Sequence, residues 1–295
     1  NPCVTRVEGC HPPSSTSEPS LIGRMLELLE LAQGMRILEI GTGTGYNAAL
    51  LAELVGEPSL VWTVEVQPNI VAEAKVVLQQ AGYGGIHVLS RDGFYGAPEG
   101  APYHRIEATV GCPDLSPYWV SQLLPEGFML IPLEHGYHHP LVKVVHDPEQ
   151  PGHVKGRIVG WSSFMTMTGM LGWANLWQTL LPDVPGNPAW KRSLPFALSC
   201  GNHGHPLRSP PHRAFYFFLG LSARELWYTD QGYGLADPGA GAAVVISCQY
   251  IYGFCRKGEE EACERLYARL IDILERWAKL GRPDLGDYEI VFIPR

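Results

Sequence analysis

A chain of 295 residues, 45% hydrophobic and 18% charged, has enough material for one large core and one smaller core, so two domains are expected. Its 22 Lys and Arg against 30 Asp and Glu leave a formal charge of −8 with no basic stripe, which argues against nucleic acid as a partner, and no apolar run approaches the roughly 20 residues of a bilayer span. Seven scattered cysteines without a Cys-x-x-Cys pair suggest neither a disulfide framework nor a zinc knuckle, and a reducing cytoplasm fits them best. The sequence opens on Asn1 rather than methionine and shows no charged-then-apolar leader.

In chain order, a helix is expected at residues 21–31, a strand at 36–40, a helix at 46–55, a strand at 60–65, a helix at 68–81 and a strand at 86–90. Strands at 105–109 and 128–132 then flank a helix at 117–124. Pro68 and Pro117 fall in first helical turns, where the missing N–H would be unbonded anyway. Short β-branched runs alternating with helical patterns mean a parallel sheet covered by helices. Residues 141–145 and 155–159 close it as a hairpin around the Asp-Pro and Pro-Gly pairs of 147–152. Residues 182–211, rich in Pro, Gly, Asn and His, read as a linker or long loop. Beyond them, runs at 215–221, 226–229 and 242–251, parted by a Gly-rich turn at 231–241, are expected to form a small antiparallel sheet. Residues 259–280 carry Ala262, Leu266, Leu270, Ile273 and Trp277 on one helix face, with Gly281 as the stop. The expected organisation is a catalytic domain at 1–181, a linker at 182–211 and an α+β domain at 212–295.

The run Leu38-Glu39-Ile40-Gly41-Thr42-Gly43-Thr44-Gly45 follows a strand and opens a helix, the context in which glycines let a backbone turn sharply against a nucleoside ligand. Glu39 precedes the first glycine by two residues, Glu65 ends the second strand where it can accept from both ribose hydroxyls, and Asp92 follows the third where it can accept from an adenine amine. Residues that would seek a dinucleotide's phosphates are missing from these positions. S-adenosylmethionine, with ribose, adenine and sulfonium but no phosphate, suits the acids. Cys200, His203 and His205 form a Cys-x-x-His-x-His cluster, but no fourth ligand stands at comparable spacing and no metal is expected.

The run GMRILEIGTGTGYN ending at Asn47, VEVQP at 64–68, RDGFYGAPEGAPYHRI at 91–106 and LLPEGFMLIPL at 123–133 resemble the protein L-isoaspartate O-methyltransferase family in order and spacing across residues 14–171. The resemblance implies a class I S-adenosylmethionine-dependent methyltransferase fold, a Rossmann-like, mostly parallel sheet. It places Thr16, Glu39, Gly41, Thr42, Gly43, Glu65, Val66, Asp92, Gly93 and Thr109 around the cofactor. Ser15, Ser17, Pro19 and Ser20 correspond to the family's Ser-Ala-Pro-His substrate segment, and Ser17 matches the serine beside the substrate carboxylate and the cofactor methyl. Glu18 stands where the family has alanine, Ser20 where it has histidine, and His104 where it usually has aspartate before the fourth strand. Residues 196–295 resemble the extra C-terminal domain of homologues in actinobacterial gene clusters for ribosomally made, modified peptides. That second resemblance implies a peptide substrate bearing aspartate or isoaspartate. The expected reaction is esterification of an aspartate carboxylate in a modified precursor peptide, leading to aspartimide; the alternatives are isoaspartate repair and methylation of a small carboxylic acid.

Overall fold

The computed structural model describes residues 3–8, 11–16, 18–136, 138–172, 186–195, 198, 206–229 and 232–292. The chain divides into two compact units, one of Asn1–Glu134, His138–Asn175 and Glu289–Arg295, the other of His135–Tyr137 and Leu176–Tyr288.

The first unit opens with an antiparallel pair, β1 (Cys3–Glu8) and β2 (His11–Thr16), followed by helix α1 (Pro19–Leu28). The alternating part runs β3 (Ile37–Ile40), α2 (Tyr46–Val55), β4 (Val61–Glu65), α3 (Pro68–Gln80), β5 (His87–Ser90), β6 (Tyr103–Ala108), α4 (Pro117–Gln122) and β7 (Leu123–Pro132). Pro68 and Pro117 do stand at helix starts, and Gly56, with φ 83, ends α2 in the left-handed conformation that an L side chain resists. A hairpin of β8 (His139–His146) and β9 (Val154–Ser162) then extends the sheet. β3 is buried at every position, as a central parallel strand covered on both faces must be. Ala48, Leu51, Ala52 and Val55 of α2 pack into the same core, Leu51 with no exposed surface.

The second unit contains β10 (Trp190–Ser193), helix α5 (Pro210–Ser222), β11 (Leu226–Tyr228), β12 (Tyr233–Asp237), β13 (Ala242–Ser247), β14 (Tyr250–Cys255) and helix α6 (Glu260–Lys279). Its strands form an antiparallel sheet in the order β10-β14-β13-β12-β11, and α6 buries Ala262, Leu266, Leu270, Ile273 and Trp277 as its periodicity predicts. The chain then supplies one more strand, β15 (Glu289–Phe292), which pairs antiparallel with β9 and so belongs to the first unit. The large sheet thus has eight strands in the order β15-β9-β8-β7-β6-β3-β4-β5, parallel from β7 through β5.

Four sequence expectations change here. The aromatic run at 215–221 is helical: Pro210 and Pro211 begin α5 in its first turn, and the run is buried on most sides, a situation in which strand and helix cannot be told apart by periodicity. The Gly-rich stretch at 231–241 includes strand β12, in which Gly234 lies so close to the Val244 carbonyl that a Cβ would sit 1.9 Å from it. The run at 242–251 divides into two strands at a turn where Cys248 has φ 51. The stretch expected to be linker carries β10. No helix among the described residues is long and apolar enough to cross a membrane, and the Cys200, His203 and His205 cluster lies outside the described residues.

Candidate active site

The chain lays β4 and β5 to one side of β3 and then returns to place β6 on the other, so the carboxyl ends of these parallel strands flank a crevice at the topological switch point, where open α/β sheets bind ligands. A cavity of about 490 Å³ lies there. Glu39, Gly41, Thr42, Gly43, Glu65, Val66, Gly93 and Thr109, all singled out from sequence, line it together.

The glycine loop is tightly braced. Gly41 has φ 103, and its N–H and that of Thr42 donate to the Val64 carbonyl at 2.9 and 3.2 Å. The Thr109 hydroxyl, reaching across from the end of β6, donates to the carbonyls of Gly41 at 2.7 Å and Ile40 at 3.2 Å. A Cβ on Gly41 would stand 2.8 Å from that hydroxyl. Glu65, the last residue of β4, accepts from the Gly43 N–H on one oxygen and from the Gln67 N–H on the other, each at 3.2 Å. Each oxygen keeps a lone pair for a diol above it.

Asp92 is placed differently from the expectation. One carboxylate oxygen caps the following short turn by accepting from the Phe94 N–H at 2.9 Å, and the other accepts from the Met170 N–H at 2.7 Å. It does not line the cavity; its neighbour Gly93 does, with so little room that a Cβ would meet Ile40 Cγ2 at 2.7 Å. Pro19 and Ser20 are exposed in the first turn of α1, outside the lining. Thr16 and Ser15 belong to β2 by backbone, and Ser17 lies outside the described residues. His104 serves the strand start, its Nδ1 accepting from the Arg36 N–H at 2.9 Å.

Beneath the loop lies a polar group that sequence reading only half anticipated. Glu39 on β3 and Glu107 on β6 are direct cross-strand neighbours, both without exposed surface. The Asn47 side-chain amide donates to Glu39 Oε1 at 2.8 Å and to Glu107 Oε2 at 2.9 Å, while Thr63 Oγ1 donates to Glu39 Oε2 at 2.6 Å. Among the described residues Glu107 Oε1 has no hydrogen-bond partner. Burial pushes both carboxyls up, Glu39 to about 7 despite bonds from Thr63 and Asn47, and Glu107 to about 8 with further help from the negative field of Glu39. A glutamate between Ile106 and Ala108 in a strand expected to lie in the core was the available signal, because a buried charge without a partner is costly.

The remaining wall comes from residues no motif marked. Phe164–Thr168 runs along the rim, held by Gly111 N–H to the Met165 carbonyl at 2.8 Å and Met167 N–H to the Gly111 carbonyl at 2.9 Å. Ile22 and Met25 of α1 contribute apolar surface, and Tyr46 stands at the start of α2.

Three glutamates line this cavity, and among the described residues no Lys, Arg or His does. A phosphate-bearing dinucleotide would find no counter-charge, whereas a nucleoside with a sulfonium and an ammonium would, so the residues present fit S-adenosylmethionine. Fold and site together define a class I S-adenosylmethionine-dependent methyltransferase.

Residues 9–171 match the family model for protein-L-isoaspartate(D-aspartate) O-methyltransferase. The chain belongs to that family of S-adenosylmethionine-dependent carboxyl methyltransferases. It is 41% identical over 156 residues to a protein-L-isoaspartate O-methyltransferase of Methanococcoides burtonii, covering 53% of this chain and 75% of that one. It is 42% identical over 160 residues to the protein of the same name from Thermococcus onnurineus, covering 53% and 70%. A solved structure described as a protein-L-isoaspartate O-methyltransferase superposes with a TM-score of 0.57 at 27% identity, covering 98% of this chain and 82% of that one.

Proposed function

We propose that the chain esterifies the carboxylate of isoaspartyl residues exposed in peptides and proteins, a repair-type activity. The observation that carries this reading is the likeness over 98% of the chain to a structure described as a protein-L-isoaspartate O-methyltransferase, because that likeness extends past residue 171 into the second unit. The C-terminal extension therefore does not by itself single out a peptide-tailoring enzyme.

An acceptor carboxylate has an ordinary pKa of roughly 4 and is already an anion at neutral pH, so no general base is required. When bound, S-adenosylmethionine supplies an electrophilic methyl that passes to a carboxylate oxygen as the S–CH₃ bond breaks. The protein's work is positioning, which supplies on the order of 7–11 kcal/mol when the partners are held in line. The glycine loop and Glu65 are assigned the nucleoside. Asp92 is assigned an indirect part, holding Gly93 and the segment at 166–170 against the adenine side. Ile22, Met25, Phe164 and Met167 exclude water around the reacting end. By resemblance, Thr16 lies with the cofactor, and Ser15, Ser17, Pro19 and Ser20 present the acceptor, with the Ser17 hydroxyl donating to its carboxylate.

A second reading, esterification of an aspartate in a modified ribosomal precursor peptide with closure to aspartimide, is favoured by one observation. The family match ends at residue 171 and leaves most of the second unit outside it, a ready surface for a dedicated substrate. Peptides identical but for isoaspartate or aspartate at one position separate the two readings. Incubation with S-adenosylmethionine should add one methylene to the isoaspartyl peptide alone by mass spectrometry, and Ser17→Ala should lower that rate with S-adenosylhomocysteine affinity intact. Inertness toward isoaspartate, with water lost from an aspartate in a constrained precursor, would overturn the repair reading in favour of the second.

A further inference from the structure

We propose that Glu107, acting with Glu39 through the Asn47 amide they share, is the anionic group that recognises the cationic amino-acid end of the cofactor. The proposal rests on the reading of the cavity as the S-adenosylmethionine site and adds a residue that no motif assigns.

Three observations carry it. Glu107 lines the cavity fully buried, yet among the described residues its Oε1 has no hydrogen-bond partner, an expensive arrangement for a structural carboxylate. Asn47 spends both amide hydrogens on the pair, and the two carboxyls sit side by side with no Lys, Arg or His among the described residues that line the cavity. Their place in the sheet gives the third. With the ribose assigned to Glu65 on β4 and the adenine to the β5 side, a ligand crossing β3 toward β6 brings its far end, which bears the ammonium, over Glu39 and Glu107.

The pair also couples binding to protons. Burial and mutual repulsion favour the protonated carboxyl in the free site near neutral pH, and an arriving ammonium favours the carboxylate. The O–H bond breaks and its proton passes to the buffer. The groups around the pair are Glu65 and Thr63 from β4, Tyr46 and Asn47 from α2 and Thr109 just after β6, whereas α1 and residues 164–168 bring to the cavity only Ile22, Met25 and uncharged side chains. No other acidic or basic side chain lines the cavity among the described residues.

The test is calorimetric titration of the full chain with S-adenosylhomocysteine, which has the ammonium but no sulfonium, and with methylthioadenosine, which lacks the amino-acid end. Titrations in buffers of different ionisation enthalpy count the protons released. The parent should release a proton to the buffer on binding S-adenosylhomocysteine near pH 7 and none on binding methylthioadenosine. Its affinity for the former should rise between about pH 6 and about pH 8. Glu107→Gln should weaken S-adenosylhomocysteine about tenfold or more, cut the proton release and leave methylthioadenosine within about twofold. Absence of proton release in the parent overturns the proposal whether or not the variant folds, as does equal S-adenosylhomocysteine affinity in a folded variant. Failure of both ligands to bind the parent would instead sink the cofactor assignment.

Discussion

Glu65→Gln tests the nucleoside assignment with one atom exchanged. In the parent each carboxylate oxygen accepts one loop amide, from Gly43 and from Gln67, and the charge is shared with whatever diol lies above. The glutamine keeps the shape but replaces one acceptor by an NH₂, so either the Gly43 or the Gln67 N–H faces a donor and the diol loses a charged acceptor. A hydrogen bond to a charged group contributes about 1.5–3 kcal/mol, which corresponds to roughly 12- to 150-fold in Kd for S-adenosylhomocysteine. Loosening of Gly43 moves the result toward the upper end, because the loop backbone and the diol depend on the same carboxylate. Calorimetry on a variant with parental circular dichroism measures the loss directly. Glu65→Asp, which retains the charge but retracts it by one methylene, should fall between parent and glutamine variant. Affinity within about twofold of the parent for a folded Glu65→Gln would refute the placement of the ribose at the end of β4.

Gly41→Ala should destabilise the fold by about 1–3 kcal/mol and weaken S-adenosylhomocysteine at least tenfold, since φ 103 is strained for alanine and the new Cβ would press on Thr109 Oγ1 at 2.8 Å. Urea titration and calorimetry would show otherwise if the loop were tolerant. Leu51→Ala, which empties a fully buried position between α2 and the sheet, should cost about 2–5 kcal/mol in urea unfolding, and a loss below about 1 kcal/mol would mean α2 is poorly packed. The folded pKa values of Glu39 and Glu107, about 7 and about 8, lie above those of the unfolded chain, so the folded protein holds protons the unfolded one has released. Their contribution to stability is complete below the ordinary carboxyl pKa of roughly 4.3 and is lost as the pH climbs through the folded values. Without ligand, the parent's urea midpoint should therefore fall between about pH 5 and about pH 8, and Glu107→Gln should flatten that fall; matching slopes would count against the buried pair as its source.

The parallel half of the fold was readable because its punctuation is chemical. Pro68 and Pro117 begin helices, Gly56 ends one, and Gly41 and Gly43 stand where a strand must turn toward a ligand, each a local requirement that few other residues meet. At the strand ends, Glu65 was singled out by its place after a strand and Thr109 through the family resemblance, and both line the cavity. Asp92 shows the limit of that method. Its place after the third strand suggested an adenine contact, yet its two oxygens accept from the amides of Phe94 and Met170, the second lying 78 residues away, and it does not line the cavity; no local pattern encodes such a partner. Glu107 was passed over because its significance depends on the neighbouring strand, which brings Glu39 into register beside it. In the second unit, Phe215–Leu221 has the composition of a strand and the burial of a core helix, and the Pro-Pro start that decides between them was absorbed into a presumed linker.

The return of β15 to the first unit has a consequence for how the chain is made. β9 leaves the ribosome with one edge unpaired, and its partner follows only after the whole second unit, about 130 residues later. At roughly 5–20 residues per second, that edge stays open for on the order of 6–25 s. During that interval the nascent chain exposes a strand edge ready to pair with a neighbouring copy. A stop codon anywhere in the second unit would make that exposure permanent, so shortened forms of this protein should be limited by aggregation before they are limited by chemistry.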